Sequence, residues 1–105
     1  MLDKARVREI AYEYSGEVLK MLTPVKIILF GSYLNSTPHE YSYIDIAVLV
    51  NDYRGDWDET VSKLIGLKWD DKFTYVEPHL LDEAYDPSGF VEHVIRTGEV
   101  VYQRL

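Results

Sequence analysis

Two short segments of the sequence carry residue types that suit phosphate and metal binding. Gly31-Ser32 follows an apolar run, and a glycine there lets the backbone approach a ligand while the serine hydroxyl donates a hydrogen bond. Ten residues separate this pair from Tyr43-Ile44-Asp45. Asp45 lies within an apolar run, where a carboxylate is costly to bury without a partner. From the residues alone, the first segment is either a phosphate-binding turn or an ordinary turn, and Asp45 is either a site residue or a structural aspartate.

Length, charge and cysteine content limit the classes of protein to which the chain can belong. We expect its 105 residues to form one domain over 1–105. The 18 acidic and 11 basic residues give a formal net charge of −7, which repels the backbone of extended nucleic acids. The sequence has no cysteine, so a metal ion would be held by oxygen or imidazole donors. No signal or membrane-spanning segment is predicted, and we expect a cytoplasmic protein without membrane contact.

The elements that position these segments follow from hydrophobic periodicity. The first half is predicted to contain a helix over Asp3–Met21, a strand over Val25–Phe30, a turn-rich segment with a short helical turn over 32–42, and a strand over Tyr43–Val50. Asp3 is the expected N-cap of the helix. Because side chains alternate across a sheet, Tyr43 and Asp45 share one face of the second strand.

The second half continues the pattern of helices and strands. The first element is a helix capped by Asp56, with the apolar stripe Trp57, Val61, Leu64, Ile65 and Trp69. A strand over Phe73–Leu81 follows. A last helix runs from Asp86-Pro87 to Gly98, with the stripe Phe90, Val91, Val94 and Ile95, and an apolar tail at Val100–Tyr102 docks back. Pro78 indicates that the third strand is an edge strand or is irregular. Helices alternating with strands favour an α/β fold, a small sheet covered by helices.

Histidines and tyrosines near the two segments are weaker candidates. His39, His79 and His93 are too scattered for a helical metal pair, and a lone histidine is more often hydrogen-bonded than a ligand. His79 is the one to follow, because strand alternation puts it on the face of Glu77. Tyr33 could stack on a base, although aromatic residues in small sheets usually pack against neighbours.

Several segments together form a pattern that covers essentially the whole chain. Its parts are Ile28-Leu29-Phe30-Gly31-Ser32-Tyr33, the ten-residue gap, Ser42-Tyr43-Ile44-Asp45-Ile46-Ala47-Val48, Val76-Glu77-Pro78 with Leu80-Leu81, and the closing helix from Ser88 to Gly98. The pattern resembles the minimal nucleotidyltransferases of the DNA polymerase beta superfamily, in which Gly-Ser, ten residues and Asp-x-Asp follow one another. The resemblance implies an α/β (α+β) fold with a small mixed β-sheet flanked by helices.

The resemblance also implies a reaction and a set of site residues. The family uses two metal ions, Mg²⁺ or Mn²⁺, to hold a nucleoside triphosphate while a hydroxyl attacks the α-phosphorus and pyrophosphate leaves. Carried over to this sequence, the nucleotide-binding residues are Gly31, Ser32 and Tyr33, and the catalytic metal ligands are Asp45 and Glu77. ATP is the expected nucleotide.

Tyr43 departs from the family pattern, because it stands where the family has its first aspartate. A phenol is neutral at pH 7 and offers one weak oxygen in place of an anionic ligand. Magnesium depends on carboxylate charge and tight octahedral geometry, so this replacement predicts weaker Mg²⁺ binding and reduced or absent transfer. Glu40, in the preceding loop, is an alternative donor that its position off the strand disfavours.

Three functions are consistent with the sequence. The first is a working nucleotidyltransferase that moves AMP from ATP to a hydroxyl of a protein or small molecule. The second is a catalytically degenerate, antitoxin-like binding module that partners a small helical protein of the HEPN type. A chain this short often needs a partner or a second copy to cover its sheet edge, so a homodimer is also considered. The third is the same fold with an unrelated ligand.

Overall fold

A four-stranded mixed β-sheet lies at the centre of the computed structural model, which describes residues 3–31 and 43–105. In chain order the elements are α1 (Lys4–Val18), β1 (Lys26–Phe30), β2 (Ile44–Val50), α2 (Trp57–Gly66), two 3-10 turns (Leu67–Trp69 and Asp71–Phe73), β3 (Val76–Asp82), α3 (Phe90–Thr97) and β4 (Glu99–Gln103). The strands lie in the order β3-β2-β1-β4. β1 is antiparallel to β2 and β4, whereas β2 and β3 are parallel. The predicted fold class is confirmed.

Helices cover both faces of this sheet. α1 and α2 pack on one face and bury the alternate β2 residues Ile44, Ile46, Val48 and Val50. α3 packs on the other face, against Ala47 and Leu49 of β2 and Ile28 of β1. Alternation places Asp45 on this second face, but its side chain is still 21% exposed. Asp45 therefore marks the point at which the α3 side of the sheet opens to solvent.

The first helix begins where the sequence predicts and ends earlier. The Asp3 carboxylate caps it by accepting a hydrogen bond from the Arg6 backbone N–H at 2.8 Å. The helix ends at Val18, after which the Lys20 N–H bonds to the Glu17 carbonyl and the Met21 N–H to the Val18 carbonyl, three-residue bonds that tighten the last turn.

α2 buries a narrower face than its periodicity predicts. Asp56 caps the helix as expected, and Leu64 is buried in the core beneath it. Trp57 and Ile65 are exposed, and Trp69 is 91% exposed, so these three do not belong to the buried stripe. The helix ends before Trp69, and the following 3-10 turn changes the angle per residue and rotates the indole away from the sheet.

β3 begins at Val76, so the prediction that the strand starts at Phe73 is wrong. Phe73 ends a 3-10 turn, and its ring is buried beneath α1 with its centroid 5.2 Å from that of Tyr14. Burial of this large ring in the core outweighs the strand preference of the segment. β3 forms an edge of the sheet, as Pro78 indicates.

α3 also begins later than predicted, at Phe90 instead of directly after Asp86-Pro87. Asp86 still caps the helix from the preceding loop. Its two carboxylate oxygens accept hydrogen bonds from the N–H groups of Val91 at 2.9 Å and Glu92 at 3.0 Å. The apolar tail that follows α3 docks against β1 as β4, as predicted.

The helical turn predicted within segment 32–42 lies outside the described residues. Among the helices in the described part of the chain, none combines the length and apolar character needed to cross a membrane.

Candidate functional site

Two acidic side chains lie side by side where β2 and β3 begin. Asp45 and Glu77 are Cα partners in the parallel register, so the pleat directs both to the same face. Glu77 is exposed and Asp45 is partly buried. Within residues 3–31 and 43–105, no lysine or arginine forms an ion pair with either carboxylate. Two neighbouring carboxylates repel each other, and a cation between them would relieve that repulsion.

His79 adds an imidazole to this pair. It follows Glu77 by two residues on the same face of β3, and its Nε2 lies 3.1 Å from Oδ1 of Asp45. Its Cα partner on β2 is Ala47, whose small side chain leaves room for the ring to reach diagonally to Asp45. One ligand atom from each of Asp45, Glu77 and His79 lies within 4.8 Å of the other two.

Aromatic rings hold the imidazole of His79 on one side. The ring centroid of Phe30, the last residue of β1, lies 5.1 Å from that of His79 with an interplanar angle of 60°. Phe90, the first residue of α3, packs edge-on against Phe30 at 5.9 Å. These edge-to-face contacts restrict the rotamer of His79 and make one wall of the cluster apolar.

Gly31 brings the backbone after β1 against Asp45. The residue before it, Phe30, is the antiparallel Cα partner of Asp45. The φ angle of Gly31 is +90°, a region that favours glycine. A Cβ atom here would overlap Oδ2 of Asp45 and lie 3.1 Å from its Cγ. The position therefore requires glycine both for its backbone angle and for the space beside the carboxylate.

Four candidates from the sequence, Ser32, Tyr33, His39 and Glu40, lie outside the described residues.

Tyr43 immediately precedes β2 and is 51% exposed. The ammonium group of Lys68 lies 6.0 Å from the centroid of its ring, at the limit of a cation–π contact. The phenol supplies no anionic ligand two residues before Asp45. The described cluster consequently has two carboxylates and one imidazole, whereas the family pattern has three carboxylates.

This donor set fits one divalent cation. Two carboxylates balance its charge, and both carboxylate and imidazole are common ligands of divalent metals in proteins. Sequence reasoning named Asp45 and Glu77 as metal ligands and put His79 on the face of Glu77; the three side chains lie close together, and their role as ligands stays a prediction. It missed the aromatic wall of Phe30 and Phe90, because their contact depends on where α3 crosses the sheet.

Comparison with known proteins gives an independent view of the chain. A family model described as "Polymerase beta, Nucleotidyltransferase" matches residues 16–105. No curated protein matches the sequence at a significant level.

Three solved structures are similar to the chain. A protein from Sulfolobus solfataricus assigned as a nucleotidyltransferase has a TM-score of 0.65 and 19% identity, and the match covers 95% of this chain and 83% of that chain. A mutant of the toxin-antitoxin MntA-HpeT has a TM-score of 0.57 and 23% identity, and the match covers 89% of this chain and 73% of that chain. A toxin-antitoxin structure with AMP-PNP has a TM-score of 0.58 and 26% identity, again with 89% and 73% covered. The first two likenesses are of fold.

Proposed function

The chain belongs to the polymerase beta nucleotidyltransferase family, and from this premise we propose that it transfers a nucleoside monophosphate, AMP from ATP, to a hydroxyl group of a protein or small molecule. One observation carries the proposal: Asp45, Glu77 and His79 converge beside the glycine turn at the end of β1. The similar toxin-antitoxin structure with AMP-PNP supports an adenine nucleotide as the donor. In the proposed reaction the acceptor hydroxyl loses its proton to solvent, its oxygen bonds to the α-phosphorus as the α–β bridge breaks, and pyrophosphate leaves.

Each described residue has a separate task in this proposal. Asp45, Glu77 and His79 would hold a divalent cation, Mg²⁺ or Mn²⁺, which when bound neutralises phosphate charge. Gly31 has no side chain, so the backbone at the end of β1 can approach both Asp45 and a phosphate oxygen. Phe30 restricts the His79 ring and thereby the orientation of Asp45.

Residues outside the described ranges complete the proposed nucleotide site. Ser32 and Tyr33 are assigned to it from the family pattern, in which the serine hydroxyl donates a hydrogen bond to the triphosphate. Because the net charge of −7 repels polynucleotides, a small nucleotide accompanied by a cation is favoured over extended nucleic acid. A cytoplasmic location, where ATP and Mg²⁺ are abundant, is part of the same proposal.

Pyrophosphate release tests the reaction. The purified protein is incubated with each nucleoside triphosphate, Mg²⁺ or Mn²⁺ and candidate acceptors, and released pyrophosphate and labelled acceptor are measured. We expect ATP-dependent release that Asp45→Asn lowers at least about 100-fold, because a ligand that orients the reacting groups is lost. Tyr43→Asp restores the missing carboxylate and should raise the rate in Mg²⁺.

Tyr85→Asp is the matched control for Tyr43→Asp. It adds the same charge at a tyrosine that is 75% exposed and lies in the loop after β3, and it should leave the rate unchanged. Absence of pyrophosphate release from the wild type and from Tyr43→Asp, with both proteins folded, would reject the transferase proposal.

A second function, an antitoxin-like partner of a small helical protein, is favoured by the two similar toxin-antitoxin structures. The test is co-expression with the product of the neighbouring gene, followed by co-purification and growth measurement. Protection by the wild type but not by Asp45→Asn supports transfer to that partner. Equal protection by both proteins supports a binding module that needs no chemistry. Gel filtration of the chain alone tests the alternative of a homodimer.

A further inference from the structure

We propose that His79 is a direct metal ligand and that the cluster of Asp45, Glu77 and His79 prefers a first-row transition-metal dication to Mg²⁺. The inference rests on the proposed function in one respect, because it takes this cluster to be the metal centre of the reaction. It goes further by assigning a nitrogen ligand to a site for which the family pattern supplies only carboxylates. The identity of the cation then follows from the donors that this chain presents.

The spacing of the donors suits a shared ion. Ligand atoms at about 2.1 Å from one metal lie about 3 Å apart when adjacent and about 4.2 Å apart when opposite, by the geometry of an octahedron. Nε2 of His79 and Oδ1 of Asp45 are 3.1 Å apart, which is the separation of adjacent ligands. The ligand atom of Glu77 lies within 4.8 Å of the other two. Because the Glu77 side chain is exposed, a short rotation would bring it to the same ion.

The imidazole is also held in position before any ligand binds. Phe30 packs against one side of the His79 ring, and Phe90 supports Phe30 from the start of α3. Ala47, the β2 partner of His79, leaves the space through which Nε2 approaches Asp45. A donor with a restricted rotamer loses little conformational entropy on binding a metal, which favours coordination by this residue over an unrestrained surface histidine.

The chemistry of the donors sets the preference for the metal. Mg²⁺ requires oxygen ligands in a near-ideal octahedron and releases its water reluctantly, whereas transition-metal dications accept imidazole nitrogen readily. Tyr43 removes one carboxylate from the family's set, and His79 adds a neutral nitrogen donor. The missing carboxylate weakens the site for Mg²⁺, and the nitrogen strengthens it most for Co²⁺ or Zn²⁺ and to a smaller degree for Mn²⁺.

The competing explanation is that His79 only hydrogen-bonds Asp45. Direct coordination and a hydrogen bond differ in a spectroscopic signature. Bound Mn²⁺ is paramagnetic, and a coordinated imidazole adds ¹⁴N modulation to its electron spin echo. A histidine that orients the carboxylate without touching the metal adds no such directly coordinated nitrogen.

The experiment uses the full chain without nucleotide and the metal alone as the probe. Calorimetry gives the affinities for Mn²⁺ and Mg²⁺, and electron spin-echo spectroscopy examines the Mn²⁺ complex. His79→Gln replaces the imidazole with an amide of similar reach. His93→Gln is the matched control, because His93 is exposed on α3 and its ring contacts Arg96. Circular dichroism verifies that both variants fold.

We expect the wild type to bind Mn²⁺ at least about tenfold more tightly than Mg²⁺ and to show ¹⁴N modulation. His79→Gln should weaken Mn²⁺ binding at least about tenfold, change Mg²⁺ binding much less and abolish the modulation, whereas His93→Gln should match the wild type. Absence of ¹⁴N modulation in the wild type, or equal loss of both affinities in His79→Gln, would overturn the inference.

The outcomes separate this inference from the proposed function. Pyrophosphate release in Mg²⁺ with no ¹⁴N modulation leaves the transferase standing and rejects His79 as a ligand. Mn²⁺ bound with ¹⁴N modulation, but no pyrophosphate release from ATP, supports the metal site and rejects the reaction. Failure to bind either metal rejects the inference by itself.

Discussion

Substitution of Gly31 by alanine tests the central contact of the site, that between the glycine turn and Asp45. The new Cβ would overlap Oδ2 of Asp45 and lie 3.1 Å from its Cγ and 3.3 Å from its Cβ, well inside the usual carbon–carbon contact distance. The closest atom, Oδ2, is the end of a short side chain whose other carboxylate oxygen is hydrogen-bonded to His79. The carboxylate must therefore rotate away from the cluster, or the turn must move.

Gly31→Ala should lower both the stability of the protein and its affinity for Mn²⁺. Backbone strain for a non-glycine residue at a φ of +90° costs about 1–3 kcal/mol, which lowers the melting temperature of a domain this size by about 5–15 °C. Displacement of Asp45 should also weaken Mn²⁺ binding at least about tenfold, because a ligand loses its place. Thermal unfolding followed by circular dichroism measures the first effect, and calorimetry with Mn²⁺ measures the second.

Gly89→Ala is the matched control for Gly31→Ala. Gly89 has a φ of +78°, and a Cβ there meets no atom within 4 Å, so this variant carries a similar backbone strain in open space. It should lower the melting temperature and leave Mn²⁺ affinity unchanged. If Gly31→Ala binds Mn²⁺ as tightly as Gly89→Ala does, Gly31 is not needed to make room for the Asp45 carboxylate.

Three further residues, Tyr14, Asp82 and Gly16, provide predictions about stability. Tyr14→Phe should lower the free energy of unfolding by about 1–3 kcal/mol in denaturant titrations, because the Leu64 carbonyl that accepts the Tyr14 hydroxyl at 2.7 Å in the core loses its partner. Burial raises the pKa of Tyr14, so its contribution to stability is complete below about pH 10 and is lost at higher pH; ultraviolet titration should show one tyrosine ionising only as the chain unfolds. The Tyr53 N–H and two other backbone N–H groups lower the pKa of Asp82 in the folded state. The contribution of Asp82 to stability is therefore present above about pH 4 and is lost as the pH falls through the pKa of the folded state. Asp82→Asn should make stability fall less steeply in acid. Gly16→Ala should raise the free energy of unfolding by about 0.5–1 kcal/mol, since Gly16 lies within α1 and a Cβ there meets no atom within 4 Å.

The control for Tyr14→Phe comes from the same helix, and each of the three variants has an outcome that would contradict its prediction. Tyr12→Phe removes a hydroxyl from a residue of α1 that is 56% exposed, and it should leave stability unchanged. Equal effects of Tyr12→Phe and Tyr14→Phe would contradict the buried hydrogen bond. An acid limb in Asp82→Asn as steep as that of the wild type would show that other carboxylates cause the acid sensitivity. A loss of stability in Gly16→Ala would contradict the open space beside α1.

The sequence predicts the strands around the site well, because their signals are local. The apolar run that ends at Gly31 and the alternation around Asp45 each indicate a strand within a few residues. The start of β3 was misplaced because Phe73 satisfies both strand alternation and burial under α1, and only the packed helix decides between them. Trp69 is exposed although helical periodicity predicts it to be buried. The chain changes from α2 to a 3-10 turn before Trp69, and no residue pattern in the sequence signals that change.

The site was predictable in part for a different reason. Alternation places Glu77 and His79 on one face, but it says nothing about which β2 residue lies opposite them. The parallel register pairs Asp45 with Glu77 and leaves His79 opposite Ala47, and that offset produces the diagonal contact. Register depends on the whole sheet and on α2, which connects the two strands. From the sequence, His79 is therefore a candidate donor whose contact with Asp45 cannot be assigned.

Because the proposed cation site forms only when three strands are in register, cation binding would be linked to folding. Gly31, Asp45 and His79 come from separate strands or strand ends, and the unfolded chain does not hold them together. A ligand that binds only the folded state stabilises it by about 2.7 kcal/mol at a concentration 100 times its dissociation constant. The repulsion between Asp45 and Glu77 acts in the opposite direction when no cation is bound. The shift in melting temperature on adding Mn²⁺ therefore reports the intact geometry of the cluster, independently of nucleotide, acceptor or catalysis, and Asp45→Asn should reduce that shift while relieving the repulsion.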